Sequence, residues 1–114
     1  NLYFMPAGPI PPNPAELLTS ARMNSIMEEL KGYFDLIIYD TPPISAVTDA
    51  QIMATKVDGV VLVVREGFVT KDELRNSKAA LDNVNARIFG YVLNGKELSD
   101  SSGYYAYYGY SEEA

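Results

Sequence analysis

The feature that most constrains this chain is a short apolar run that ends on a carboxylate and is followed by two prolines. Residues 36–39 (LIIY) are strand formers in one block, which is typical of a strand buried on both faces of a parallel sheet. Asp40 follows directly, and Pro42 and Pro43 end the strand because proline cannot donate to a sheet ladder. Asp40 is therefore expected at the carboxyl edge of the strand, where open α/β sheets bind their ligands.

Two interpretations of Asp40 are open at this point. Enzymes of phosphoryl transfer use a strand-end aspartate to hold Mg²⁺, often through water. An ordinary turn aspartate after a buried strand accounts for the same residues equally well. The remainder of the chain has to decide between them.

Helical and strand patterns alternate along the chain and predict an α/β fold with a parallel sheet. Helices are expected after an N-cap at Asn13, after a break near Thr19 and Ser20, over residues 47–57, and after the capping box that begins at Thr70. Strands are expected over residues 2–5, 36–39, 60–65 and 88–93, with VVLVVR at 60–65 the strongest buried-strand pattern. The crossovers between parallel strands should be right-handed.

Composition excludes several classes of function. The 114 residues suffice for one modest domain, and the net charge of −6 argues against binding nucleic acid. The absence of Cys and His excludes thiol catalysis, zinc sites built on those residues and imidazole bases. No apolar run approaches the roughly 20 residues of a membrane helix, and no signal peptide is recognisable. The lack of cysteine fits a cytosolic setting.

The last part of the chain has a different character. We expect a domain over residues 1–97 and a tail over residues 98–114, and we expect the tail to be disordered. It contains a serine- and glycine-rich linker and then the tyrosine cluster Tyr104, Tyr105, Tyr107, Tyr108 and Tyr110. These phenols are candidate phospho-acceptors. The alternative is an aromatic tail that docks on a partner.

Other residues near the predicted sheet edge have two readings each. Asn94 ends the last strand, and its amide either pairs with a base edge or forms an Asn-Gly turn. Asp49 is a second acid near the site or a helix cap, and Arg65 contacts a phosphate or pairs with a surface acid. The stretch GYVLNGKE at 90–97 is close to a phosphate loop but is rejected, because its middle is strand-forming and Glu97 replaces the required hydroxyl.

Together these stretches resemble a bacterial tyrosine kinase of the family that regulates capsular and extracellular polysaccharide export. The matching segments are PAGPIPPNPAELL (6–18), FDLIIYDTPP (34–43), VTDAQ (47–51), VDGVVLVVR (57–65), VLNG (92–95) and the tyrosine cluster. The cluster is what separates such kinases from related partitioning and cell-division ATPases. The resemblance implies a P-loop NTPase-like, MinD/ParA-like three-layer fold, incomplete at the N-terminal side.

The resemblance also implies site residues, cofactors and partners. Asp40 matches the Walker B aspartate that places Mg²⁺, Asn94 matches the position facing the adenine of ATP, and the tail tyrosines match the acceptors of autophosphorylation. Implied partners are its own subunits in a ring-like homo-oligomer, a membrane-bound activator or polysaccharide co-polymerase, and a tyrosine phosphatase. The implied location is cytoplasmic, at the inner face of the membrane through a partner.

The sequence departs from the family in one respect. The phosphate-loop lysine and a second aspartate motif, which lie upstream in the family, are not in these residues, and the strand expected beside residues 36–39 is missing with them. The chain is thus expected to be inactive alone. Two alternatives are a fragment of a partitioning-type ATPase with incidental tyrosines, and a non-catalytic docking module that is phosphorylated in trans.

Overall fold

The computed structural model describes residues 1–95, so the predicted boundary at residue 97 and the tyrosine cluster lie outside the described residues. The chain forms α1 (Pro14–Thr19), α2 (Ala21–Lys31), α3 (Asp49–Ala54), β1 (Val60–Arg65), α4 (Lys71–Asn83) and β2 (Ile88–Asn94). The helices after residues 13, 20 and 70 and the strands at 60 and 88 confirm the sequence predictions. Within this described part, no helix is both long and apolar enough to span a membrane.

The strands β1 and β2 pair in parallel and α4 connects them, which is the βαβ unit that the sequence predicts. The register runs from Val60 opposite Ile88 to Arg65 opposite Asn94, with an irregularity just after Val60. Both strands therefore end at the same edge of the sheet. This common ending sets the position of the candidate site.

One face of this small sheet is covered and the other is open. Leu62 and Val64 are partly buried, whereas Val61 and Val63 are 52% and 61% exposed. Val63 pairs with Val92, which is 48% exposed, so the open face carries a patch of valines. The predicted strand at residues 60–65 is therefore formed, but within residues 1–95 it is half-buried on one face only, because nothing there covers the other side.

Local capping explains where the helices begin and end. Pro14 occupies the first turn of α1, and the Asn13 side chain donates to the Glu16 carboxylate (3.1 Å) rather than capping the backbone. The hydroxyl of Ser20 accepts from the backbone N–H of Met23 (3.1 Å) and starts α2. In α4 both halves of the Thr70–Glu73 capping box are formed.

The fully buried core of the described residues is small. It consists of Met27 from α2, Met53 and Ala54 from α3, and Leu81 from α4. The helix α3 packs against both α1 and α4 and so joins the helical layer to the βαβ unit. Most of the remaining apolar side chains are left partly in water.

Two of the predicted strands are not formed. Residues 2–5 and 36–39 lie in extended or irregular backbone, and neither pairs with β1 or β2. Leu36 and Ile38 are 77% and 82% exposed, and the only aromatic pairing near the amino end is Tyr3 with Phe34, at 5.3 Å between ring centroids among the residues described. A strand needs a neighbour for its backbone hydrogen bonds, and in residues 1–95 these segments have none.

Candidate functional site

The candidate site begins where the two parallel strands end. Arg65 of β1 lies opposite Asn94 of β2, and the N–H of Glu66 donates to the Asn94 carbonyl at 2.9 Å. The structure thus brings together two of the side chains that the sequence singled out. The carboxyl edge of parallel strands is the usual ligand-binding edge of an α/β sheet.

The Arg65 side chain stacks on an aromatic ring instead of pairing with an acid. Its guanidinium carbon lies 4.0 Å from the centre of the Phe68 ring, in the turn that links β1 to α4. The ion pairs within residues 1–95 are Lys31–Glu28, Arg75–Asp72 and Lys78–Asp82, so Arg65 pairs with no acid among these residues. The stacked guanidinium keeps its N–H donors available to an anion.

Asn94 and Gly95 form the turn by which the chain leaves the sheet. The Asn94 Oδ1 accepts from the Gly95 N–H at 2.8 Å, which agrees with the reading of this pair as an Asn-Gly turn. Gly95 has a φ of +73°, a left-handed conformation that favours glycine. The Asn94 Nδ2 donors form no hydrogen bond with the described residues and could still meet an acceptor on a base.

No hydrogen bond or ion pair joins Asp40 to Arg65 or Asn94. The Asp40 carboxylate is exposed, and no hydrogen bond or ion pair reaches it from any described side chain. Burial alternates along this segment, with Ile37 and Tyr39 half-buried and Ile38 and Asp40 exposed. Desolvation raises the pKa of Tyr39 above its ordinary 10.0, against the opposing effect of Lys31. Tyr39 thus lies on the more buried side of this segment.

The acids in the described residues do not form a metal cage. No group of three or more metal-ligating side chains comes together within residues 1–95. Mg²⁺ in nucleotide sites typically uses one or two carboxylates together with phosphate oxygens and water. The free carboxylate of Asp40 fits that use. Asp49 is the first residue of α3, behind the N-cap Thr48, where a carboxylate stabilises the positive end of the helix dipole.

Sequence reasoning missed two features of this region. The first is the stacking of Arg65 on Phe68, which a spacing of three residues does not predict because it depends on the geometry of the turn between them. The second is a groove between α4 and β2 lined by Lys71, Leu74, Arg75, Lys78 and Tyr91. The cations recur at i, i+4 and i+7 on the helix, a spacing that places them on one face.

Comparison with known proteins supplies the class and then the family. No protein-family model matches the chain. Over 109 residues the chain is 45% identical to the tyrosine-protein kinase YwqD of Bacillus subtilis, covering 96% of this chain and 46% of that kinase. It is 42% identical to the putative tyrosine-protein kinase CapB of Staphylococcus aureus, with 96% and 48% covered. The kinase domain of Escherichia coli tyrosine kinase ETK matches with a TM-score of 0.73 and 39% identity, over 85% of this chain and 40% of that structure.

These matches define an α/β protein of the P-loop NTPase class, as the family resemblance implied. Within that class, the chain belongs to the bacterial tyrosine-protein kinases. It spans about half the length of the curated relatives that it matches. The family resemblance and the α/β fold are thus confirmed, and the site residues stay predictions.

Proposed function

We propose that this chain is the acceptor-bearing part of an ATP-dependent protein-tyrosine autokinase that regulates the synthesis and export of capsular or extracellular polysaccharide. The observation that carries the proposal is the exit of the chain from the sheet at Gly95, beside Arg65 and Asn94. Tyr104 follows nine residues later and can lie up to roughly 30 Å from Gly95 in an extended chain. The tyrosine cluster is therefore tethered to the candidate nucleotide edge.

Arg65 and Asn94 at this edge, together with Asp40, suit parts of a nucleotide. The Asn94 amide has donors for an acceptor on adenine, and the Arg65 guanidinium offers donors to a phosphate. The Asp40 carboxylate would hold Mg²⁺, in part through water. When bound, Mg-ATP supplies the phosphoryl group and the cation that offsets its negative charge.

The acceptor tyrosines need a base because the phenol has a pKa of about 10. As the tyrosine oxygen bonds to the γ-phosphorus, the bond to the ADP oxygen breaks and the phenolic proton passes to a carboxylate. The chain has no histidine, so carboxylates are the available bases close to neutral pH. The sequence contains no G-x-x-x-x-G-K-[ST] phosphate loop, so we expect that loop to come from outside these 114 residues.

The proposed assembly has to bring the acceptor tyrosines and a complete nucleotide site together. A ring-like homo-oligomer of complete subunits would bring the tyrosines of one subunit to the nucleotide edge of another. A membrane-bound activator would recruit the kinase to the cytoplasmic face of the membrane, and a tyrosine phosphatase would reset the acceptors. These partners are the ones that the resemblance to this kinase family implies.

The test is a mass spectrum of the chain after incubation with Mg-ATP, alone and with a full-length kinase of the family. We expect phosphate to be added in single steps only when the intact kinase is present. The Asp40→Asn variant should accept phosphate as the unaltered chain does, because the intact kinase then supplies the catalytic aspartate. A chain in which all five cluster tyrosines are replaced by Phe should accept none.

The other outcomes decide between the alternatives. Phosphate that appears without added kinase would overturn the claim that a separate phosphate loop is required. No phosphate in either reaction would exclude the acceptor role and favour a partitioning-type ATPase fragment. A chain that accepts phosphate but never supports nucleotide binding, even with a phosphate-loop half supplied, would be a docking module phosphorylated in trans.

A further inference from the structure

The groove between α4 and β2 is chemically distinct from the nucleotide edge. It has a volume of about 320 Å³, and its lining residues are Lys71, Leu74, Arg75, Lys78 and Tyr91. The cations follow the helix from the sheet edge over about 10 Å, since seven residues rise by roughly 1.5 Å each. Leu74 and the Tyr91 ring supply the apolar surface between them. The groove thus combines a basic rim with an aromatic and aliphatic wall.

The ion pairs made by the cations of the groove are exposed to solvent and weak. Arg75 pairs with Asp72 at 2.8 Å and Lys78 pairs with Asp82 at 2.6 Å, but all four side chains are more than half exposed. Exposed pairs of this kind are weak and exchange readily for a stronger anion. Lys71 forms no ion pair within residues 1–95.

A groove lined by three cations is unusual on a chain with a negative net charge. The whole chain has nine Lys and Arg residues and a net charge of −6, yet three of these cations line this one groove. With two of the three cations paired to Asp72 and Asp82, the groove keeps a small net positive charge and attracts anions more than the rest of this acidic surface does.

We propose that this groove binds phosphotyrosine in the segment 104–110 of the same chain, and this inference rests on the proposed phosphorylation of that segment. Phosphorylation gives each tyrosine a charge of about −1.5 to −2 and three strong acceptor oxygens. Lys71, Arg75 and Lys78 can bind the phosphate, while Leu74 and Tyr91 contact the phenyl ring.

The position of the segment favours it as the occupant. Tyr91 lies on β2 only four residues before Gly95, and the chain continues from Gly95 at the edge where α4 begins. A tether of nine residues to Tyr104 gives an effective concentration in the millimolar range. Glu112 and Glu113 add negative charge just after the cluster. If the phosphorylated segment binds to α4, the nucleotide edge stays accessible to a tyrosine segment that is not yet phosphorylated.

Binding of a synthetic peptide to the full chain tests this inference directly. The probe is residues 103–114 with phosphate on Tyr107 and Tyr108, labelled at its amino end, and the readout is fluorescence anisotropy. The unphosphorylated peptide is the ligand control. We expect the phosphopeptide to bind at least tenfold more tightly than the unphosphorylated peptide.

Matched charge variants separate the groove from general electrostatics. Arg75→Gln with Lys78→Gln should weaken phosphopeptide binding at least tenfold. Arg22→Gln with Lys31→Gln removes the same charge from α2, where Lys31 also has an exposed partner, Glu28, and should change binding less than twofold. Equal weakening by both pairs, or equal affinity for the two peptides, would overturn the proposal.

Two further measurements keep the test independent of folding and of the kinase. If the Arg75 and Lys78 variant is unfolded by circular dichroism, Lys71→Gln replaces it, since Lys71 has no ion pair in residues 1–95 to lose. The Leu74 methyl resonances of the unaltered chain should also shift on adding phosphopeptide, and unmoved resonances would contradict docking here. Because the phosphate is installed by synthesis, failure of docking is distinguishable from failure of the tail to be phosphorylated by a kinase.

Discussion

At the scale of single residues, the candidate edge depends on close packing around one glycine. Gly95 has a left-handed φ of +73°, and a β-carbon placed on it would lie 3.2 Å from the Arg65 Cγ. That side chain is the one that stacks on Phe68. The exit of the chain and the position of the guanidinium are therefore coupled, and Gly67 offers a comparison with the same backbone conformation but open space around it.

We predict that Gly95→Ala disturbs the Arg65–Phe68 stacking and that Gly67→Ala does not. Both substitutions place a β-carbon in the left-handed region, which costs roughly 1–2 kcal/mol of stability. Only at Gly95 must a neighbouring side chain also move, because Gly67 has no atom within 4 Å of the added carbon. Urea unfolding should show similar losses, while the Phe68 ring resonances should shift only in Gly95→Ala. Equal shifts in both variants would contradict the coupling.

At the scale of elements, α4 is specified by its own sequence. The Glu73 carboxylate accepts from the Thr70 N–H and hydroxyl, each at 2.8 Å, and the Thr70 hydroxyl accepts from the Glu73 N–H at 3.2 Å. These hydrogen bonds lower the pKa of Glu73 below its ordinary 4.5, the backbone bond having the largest effect. Since α4 connects the two strands, the capping box also supports the register at the candidate edge.

The capping box predicts a specific acid dependence. The folded state favours the charged form of Glu73, so its stabilisation is present above pH 4.5 and is lost as the pH falls through the lowered pKa. We expect Glu73→Gln to be less stable than the unaltered chain at pH 7, and the difference to shrink towards pH 3. Urea unfolding at several pH values measures this.

The variant Thr70→Ala serves as the control for this acid dependence. It removes the hydroxyl but not the backbone donor, should cost about 1 kcal/mol, and should leave part of the pH dependence. A pH-independent difference between Glu73→Gln and the unaltered chain would show that the carboxylate charge is not involved.

Features that depend on residues close together in the sequence could be predicted, whereas features that depend on distant neighbours could not. The α4 box and the break at Ser20 depend on residues three positions apart, and both were predicted correctly. The meeting of Arg65 and Asn94 followed from parallel strands that share an edge. The strand at 36–39 was wrong because a strand also needs a neighbour, and the Phe68 stacking was missed because turn geometry is not readable from spacing.

At the scale of the whole molecule, residues 1–95 leave apolar surface exposed that nothing among them covers. The fully buried core of the described residues consists of four side chains, whereas the open sheet face carries Val61, Val63 and Val92 at about half exposure. Leu36 and Ile38 lie exposed on a segment without a strand partner among residues 1–95. The relatives are about twice as long as the matched region. The remaining part of such a kinase domain would bury these surfaces.

We predict that lysines on the open sheet face block this complementation without unfolding the chain. Val61→Lys with Val63→Lys should lower the free energy of unfolding of the isolated chain by less than about 0.5 kcal/mol per site, because both side chains are already largely in water. The same lysines would be buried without partners beneath the complementary half, which is costly. Co-purification with the phosphate-loop half of a family kinase, and the rise in Tm on mixing, should both be lost. As a control, Asn76→Lys with Asn83→Lys adds the same charge to the exposed side of α4 and should preserve both the co-purification and the rise in Tm. If the valine variant still associates with the phosphate-loop half, the open sheet face is not the surface that this half covers.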